Sequence, residues 1–259
     1  SPLRFSTLAW KPLSTSSTSG LMVTLVALGF SLLFGVLDVI HFSHGDVSIV
    51  APFVVLATFQ ALVSTAFPVG TAGALVLASA LAILAVGLVG VLADRLVIRR
   101  FRNEPAMMAL VATVALGTVI RELIRMVYPQ GSNPKPFPRL LESRVQLGDL
   151  AVPLFSLFVI AVSVLMMAVL FAVMRYTPLG MRIRAVAEDR NIARLMAIRP
   201  GRIFAATFFL ASAVGAIGGI FFASYAGVVR FDFGIQLGLI GFSAAVIGVT
   251  SPAGSTPAA

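Results

Sequence analysis

Seven times along this chain, apolar residues run on for about 20 positions. A helix of that length, rising 1.5 Å per residue, crosses the hydrocarbon core of a bilayer. The runs are 20–40, 47–68, 73–98, 105–128, 150–175, 203–226 and a shorter one at 236–249. Composition agrees: 59% of the 259 residues are hydrophobic, 11% are charged and mean hydropathy is +1.02. Soluble domains carry about 25% charged residues. Neither a soluble core nor a disordered chain accommodates so much apolar surface. The expected fold class is an all-α polytopic membrane protein of about seven transmembrane helices. Residues 1–19, rich in Ser, Thr and Pro, read as a flexible or interfacial leader, 20–249 as the membrane domain and 250–259 as a disordered tail. The chain opens on Ser rather than Met, as a shortened or processed chain would.

Charge gives the orientation. Arg99, Arg100 and Arg102 lie in one connection, and Arg175, Arg182, Arg184, Arg190, Arg194, Arg199 and Arg202 in another two spans later. The opposite side holds Arg4, Lys11, Lys135, Arg139, Arg144 and Arg230. Ten cations against six place the two Arg-rich connections in the cytoplasm. The net charge of +9 is thus an orientation signal, and no nucleic-acid partner is expected. There are no cysteines, which excludes thiol nucleophiles, iron–sulfur clusters and Cys-ligated zinc. No H-E-x-x-H or GxxxxGK[ST] motif occurs, and the two histidines lie far upstream of Ser243, the residue best placed to be a nucleophile. No enzyme and no cofactor are expected.

Three constellations remain. Residues 41–46 join His41, Phe42, His44, Gly45 and Asp46 between the first two spans, on the cytoplasmic side by this topology. Two histidines three apart with an aspartate invite a metal site, but i and i+3 share a helix face while i+5 does not. The competing reading is a Gly-broken connection in which Ser43 or Asp46 caps the next helix. In the fourth run, Glu122 and Arg125 are spaced to pair, and Arg121 reads with them as an interfacial anchor near the outer end, with a solute or ion path as the alternative. In the sixth, Gly215 and Gly219 form a GxxxG pair for close helix packing, within the bundle or against another subunit.

The segment 179–202 is too polar to span and too helix-prone for a plain loop. Its pattern predicts one or two short amphipathic helices, with Ala185, Ile192, Leu195, Met196 and Ile198 on the apolar face. Such helices bind lipid headgroups or dock a soluble partner. The adjacent Glu188 and Asp189 favour docking, because an anionic leaflet repels them.

Three stretches together resemble the permease subunits of bacterial ABC importers for branched-chain amino acids. One runs through Ala27, Leu28, Gly29 and Phe30 to Phe34, Gly35 and Val36, and on to residues 40–46. There Phe42, His44 and Gly45 match the family's N-F-A-H-G-E, while His41, Ser43 and Asp46 depart from it. The second joins Gly180, Met181, Arg182, Ile183, Arg184 and Ala185 with Ala187, Glu188, Asp189, Ala193 and Ile198, with Ala197 where a Gly is usual. The third is residues 242–248. The resemblance covers about 20–248, nearly the whole chain. It implies a multi-pass permease of the bacterial inner membrane whose cytoplasmic segment, 177–202, docks in a groove of an ATPase. Arg184, Ala187, Glu188, Asp189, Ala193 and Ile198 then serve coupling, and residues 41–46 gating or packing. The implied partners are ABC ATPase subunits, a second permease subunit, an extracytoplasmic solute-binding protein and membrane lipid. Past Gly248 the resemblance stops short of the family's last helices, as in a truncated copy. Permeases for urea and short amides look similar, and a stand-alone channel or secondary carrier is the reading from another class.

Overall fold

The computed structural model describes residues 25–33, 41–64, 70–101, 104–138, 144–147 and 150–250. The expected leader, the segment 34–40 with Phe34, Gly35 and Val36, and the tail beyond 250 lie outside the described residues.

Helix α1 is described over residues 25–33. It is followed by α2 (His44–Ser64), α3 (Thr71–Ala93) and α4 (Ala106–Val127). A π-helical turn over Asp94–Ile98 joins α3 to a last turn at Arg99–Phe101, so this span reads as one 30-residue rod, Ala72–Phe101. Strands β1 (Lys135–Pro136), β2 (Arg144–Leu147) and β3 (Leu150–Pro153) precede α5 (Leu154–Tyr176). Then come α6 (Pro178–Glu188), α7 (Arg190–Leu195), α8 (Pro200–Ala226), β4 (Val228–Val229) and α9 (Phe233–Thr250).

Five helices are long and apolar enough to cross a membrane, and Phe233–Ala244 is a shorter apolar helix. The first of the seven expected spans is described only over 25–33, so the count of seven is not reached among the described residues. The fifth span starts at Leu154 rather than 150 because residues 150–153 pair with β2 as an antiparallel hairpin.

The centre of the bundle is α2, α3 and α8, which pack on one another. Buried positions make up 67% of the apolar stretch of α8 but 11% of that of α5, so α5 presents its sides to lipid or to another subunit. Small residues set the spacing. Pro52 lies inside α2 and has no N–H, so the carbonyl of Ser48 has no helical donor four residues on. Gly219 of α8 abuts that oxygen: a Cβ there would sit 2.4 Å from it. Gly215, one turn earlier, faces the Ser48 hydroxyl and the His44 ring. The GxxxG pair is thus used inside this chain, against α2.

On one side of the bundle β1 pairs with β4, and the Phe137 N–H donates to Gly227 O at 3.0 Å. On the other, Arg95 and Arg99 of the α3 rod meet Arg194, Arg199 and Arg202 around one recess of about 720 Å³. The two Arg-rich connections therefore do share a side, as the loop charges require.

Candidate functional site

The polar stretch 41–46 does not sit at the cytoplasmic edge. Helix α2 starts at His44, and the His44 ring lies against Gly29 of α1 and Gly215 of α8. Gly215 is near the midpoint of Pro200–Ala226, so α2 begins halfway through the bundle. Phe30 and His44 meet edge to face at 4.8 Å, and His41 meets Phe208 at 5.2 Å. Both imidazoles are buried.

The expected capping scheme fails in its detail. The Val47 N–H donates to the backbone carbonyl of Ser43 at 2.8 Å. The Ser43 hydroxyl instead bonds His41 Nε2 at 3.0 Å, and Asp46 turns away to another helix. Nor does Gly45 break the backbone. It lies in the first turn of α2, where a Cβ would meet Gly234 O at 2.3 Å and Gly238 N at 2.5 Å. Its job is close approach to α9. Phe42 leans on Phe242 of α9 at 5.3 Å, and its N–H donates to the Thr113 hydroxyl of α4 at 3.3 Å. The first and third family-like stretches thus meet here. Among the described residues, no three His, Asp or Glu side chains gather to hold a metal.

Asp46 pairs with Arg121. Arg121 Nη1 lies 3.0 Å from both carboxylate oxygens of Asp46, while Nη2 donates to the Thr118 hydroxyl at 3.0 Å. The two side chains are 19% (Arg121) and 6% (Asp46) exposed. Two glycines leave room for the carboxylate: a Cβ on Gly117 would lie 2.3 Å from Oδ2, and one on Gly234 2.3 Å from Oδ1. Gly117 stands about 15 Å from the end of α4, at 1.5 Å per residue. This corrects the expectation for Arg121. It is not an interfacial anchor but half of a deep ion pair, and its partner lies 75 residues away. Glu122 and Arg125 do pair, at 3.3 Å, with both side chains exposed to more than 40%. The charge of Arg121 within an apolar run was the available signal, since an intramembrane cation tends to pair with an anion. Beside the pair opens a cavity of about 150 Å³, walled by Phe42, Val114, Ile235, Gly238 and Leu239.

The segment after α5 forms two helices, as its pattern predicts. Thr177 caps the first, its hydroxyl accepting from Gly180 N–H at 3.2 Å, with Pro178 at the first helical position. Asp189 ends it and caps the second, Oδ1 accepting from the N–H groups of Asn191 at 2.6 Å and Ile192 at 3.0 Å. These bonds stabilise the ionised form and hold the Asp189 carboxyl below its ordinary pKa. The chain then turns at Ala197, whose φ is 60°. Ile198 N–H returns to Ala193 O at 3.0 Å and so closes the end of α7.

The apolar face differs from the expected one. Ile183, Val186 and Ala193 are buried in a cluster with Leu33, Ile98 and Phe208, whereas Ile192, Leu195 and Met196 point outward. Leu195 is 86% exposed. Ala187 and Glu188 are exposed, Ile198 is half-buried, and Arg184 Nη1 donates to the Met174 carbonyl near the end of α5.

Comparison with known proteins follows the same lines. The family described as branched-chain amino acid transport system, permease component, matches residues 13–259, and so extends past Gly248, where the motif resemblance stops. The high-affinity branched-chain amino acid transport system permease protein LivH of Escherichia coli K12 is 27% identical over 243 residues. That match covers 89% of this chain and 76% of LivH. LivH of Salmonella typhimurium matches to the same extent, and BraD of Pseudomonas aeruginosa is 24% identical over 236 residues, with the same coverage. No solved structure matches. Membrane-length helices and a match across nearly the whole chain lead to one conclusion: the chain belongs to the branched-chain amino acid transport permease family, and is a multi-pass transport component of the inner membrane rather than an enzyme.

Proposed function

We propose that this chain is the membrane-spanning subunit of an ATP-driven importer for branched-chain or other hydrophobic amino acids. It would work with ATPase subunits, a second permease and an extracytoplasmic solute-binding protein. The observation that carries the reading is the two-sided construction of α6–α7. Ile183, Val186 and Ala193 anchor the segment on α1, α3 and α8, while Ile192, Leu195 and Met196 face outward beside Glu188. An outward apolar patch next to a carboxylate suits a protein groove better than an anionic leaflet.

The same construction suits coupling. A closely packed contact shifts as a unit rather than deforming. Displacement of α6–α7 by a closing ATPase would therefore reach α8 through Ile183 and Phe208, and α5 through Arg184. Glu188 and the outward residues would contact the ATPase. Asp189 would set the angle between the two helices, since its carboxylate is engaged in capping.

The test is co-purification in mild detergent with co-expressed ABC ATPase subunits from the same organism, the native form against Glu188→Arg. The native chain is expected to retain them and the variant to lose them. Equal retention would remove Glu188 from the interface, and no retention by either would overturn the importer reading.

A further inference from the structure

Arg121 and Asp46 form a charged pair where α4, α2 and α9 meet, halfway across the bundle. Ionisable groups at that depth are costly and face a bundle interior or a water-filled path. Packing alone does not call for such a pair, because replacing a buried ion pair by apolar residues of similar size is often neutral or stabilising.

We propose that the Asp46–Arg121 pair receives the two charged ends of an amino-acid zwitterion as it crosses, the substrate ammonium going to Asp46 and the carboxylate to Arg121. This rests on the reading of the chain as an amino-acid permease and names the point in the path that recognises the head group. The pair is complementary to a zwitterion in both signs. When the substrate enters, two new ion pairs replace the one that parts, so no charge is left bare in a low-dielectric site. Arg121 is not committed to a two-nitrogen grip. Nη1 alone serves both Asp46 oxygens and Nη2 holds only a hydroxyl, so the planar fork can turn to a substrate carboxylate bidentately.

The surroundings fit as well. The adjoining cavity of about 150 Å³ equals about five water volumes, room for a charged head group and the start of its side chain. Its walls, Val114, Ile235, Leu239 and Phe42, are apolar and suit an aliphatic chain. Gly117 and Gly234 hold open the space in which the Asp46 carboxylate sits. A neutral solute such as urea offers no charge to replace either partner, so the arrangement selects for amino acids over amides.

The experiment uses the complete complex, reconstituted in vesicles with ATP, and measures leucine uptake and ATP hydrolysis. Three forms are compared: the native chain, Asp46→Asn, and the double variant Asp46→Leu with Arg121→Leu. The double variant removes both charges, so it leaves no orphan to unfold the bundle. The expected result is at least about a tenfold loss of leucine uptake in both variants, with a melting temperature and ATPase co-purification close to native in the double variant. Native uptake by the double variant would overturn the proposal and leave the amino-acid reading standing. Uptake of a short amide but not of leucine by the native complex would overturn that reading, and this assignment with it.

Discussion

The carbonyl oxygen of Ser48 occupies the place where a side chain on residue 219 would begin, 2.4 Å from the position of its Cβ. Two features on different helices, adjacent in space, produce this contact. Pro52 removes the donor that the Ser48 oxygen would have in a regular helix, and glycine at 219 lets α8 come up against it. Gly219→Ala is therefore expected to force α2 and α8 apart, at a cost of about 1–3 kcal/mol. Thermal unfolding of the detergent-solubilised chain measures this, and a melting temperature at or above native would contradict the packing described.

Ala197 holds φ at 60°, a conformation that glycine adopts without steric cost and other residues do not. Ala197→Gly is expected to stabilise the turn after α7 by a net few tenths to about 1 kcal/mol, after the extra backbone entropy of glycine is offset. Ala197→Val should do the opposite. Hydrogen exchange at Ile198, whose N–H closes the turn onto Ala193 O, reports both changes.

Asp189 gives a pH dependence. Its folded-state pKa is lowered by the N–H groups of Ile192 and Asn191. The capping contribution is therefore fully present above the ordinary aspartate value of about 4 and is lost as pH falls through the lowered folded value. Amide protection at Asn191 and Ile192, corrected for intrinsic exchange rates, should fall in that acid range. In Asp189→Asn, whose amide oxygen still accepts, the protection should stay flat.

Glu122 and Arg125 supply a contrast with the deep pair. Both are well exposed, and exposed pairs of this spacing contribute only about 0.3–0.5 kcal/mol. Glu122→Gln should move the melting temperature by about a degree or less. Asp46→Ala, which strands Arg121 in the bundle, should lower it by several degrees.

How far the sequence could be read depended on the range of the interaction. Five of the seven expected spans form helices of membrane length among the described residues, as length and apolarity predict, and the two short helices after α5 follow from a local rhythm closed by Pro178, Asp189 and Pro200. The face that α6–α7 buries was not legible. Ile192 and Leu195 look like core residues by pattern alone, and only the packing of Ile183 and Val186 on Leu33 and Phe208 shows which side is covered. The depth of residues 41–46 was lost for a related reason. A connection between two spans is ordinarily at the surface, whereas α2 starts at the level of Gly215. The Asp46–Arg121 pair joins positions 75 residues apart, beyond the reach of any local spacing rule.

The short ladder between β1 and β4 bears on how the bundle can move. Residues 135–137, which follow α4, are tied there to the far end of α8 through Val228, Val229 and Gly227. At its other end α8 emerges from the α6–α7 segment, about 40 Å away at 1.5 Å per residue. If the α6–α7 segment is displaced as proposed above, the push near Pro200 acts on a rod held at its opposite tip, and a swing about Gly227 rather than a slide is the expected motion. Displacement then shrinks with distance from the push, to roughly half at Gly215, which is the level at which His44 begins α2.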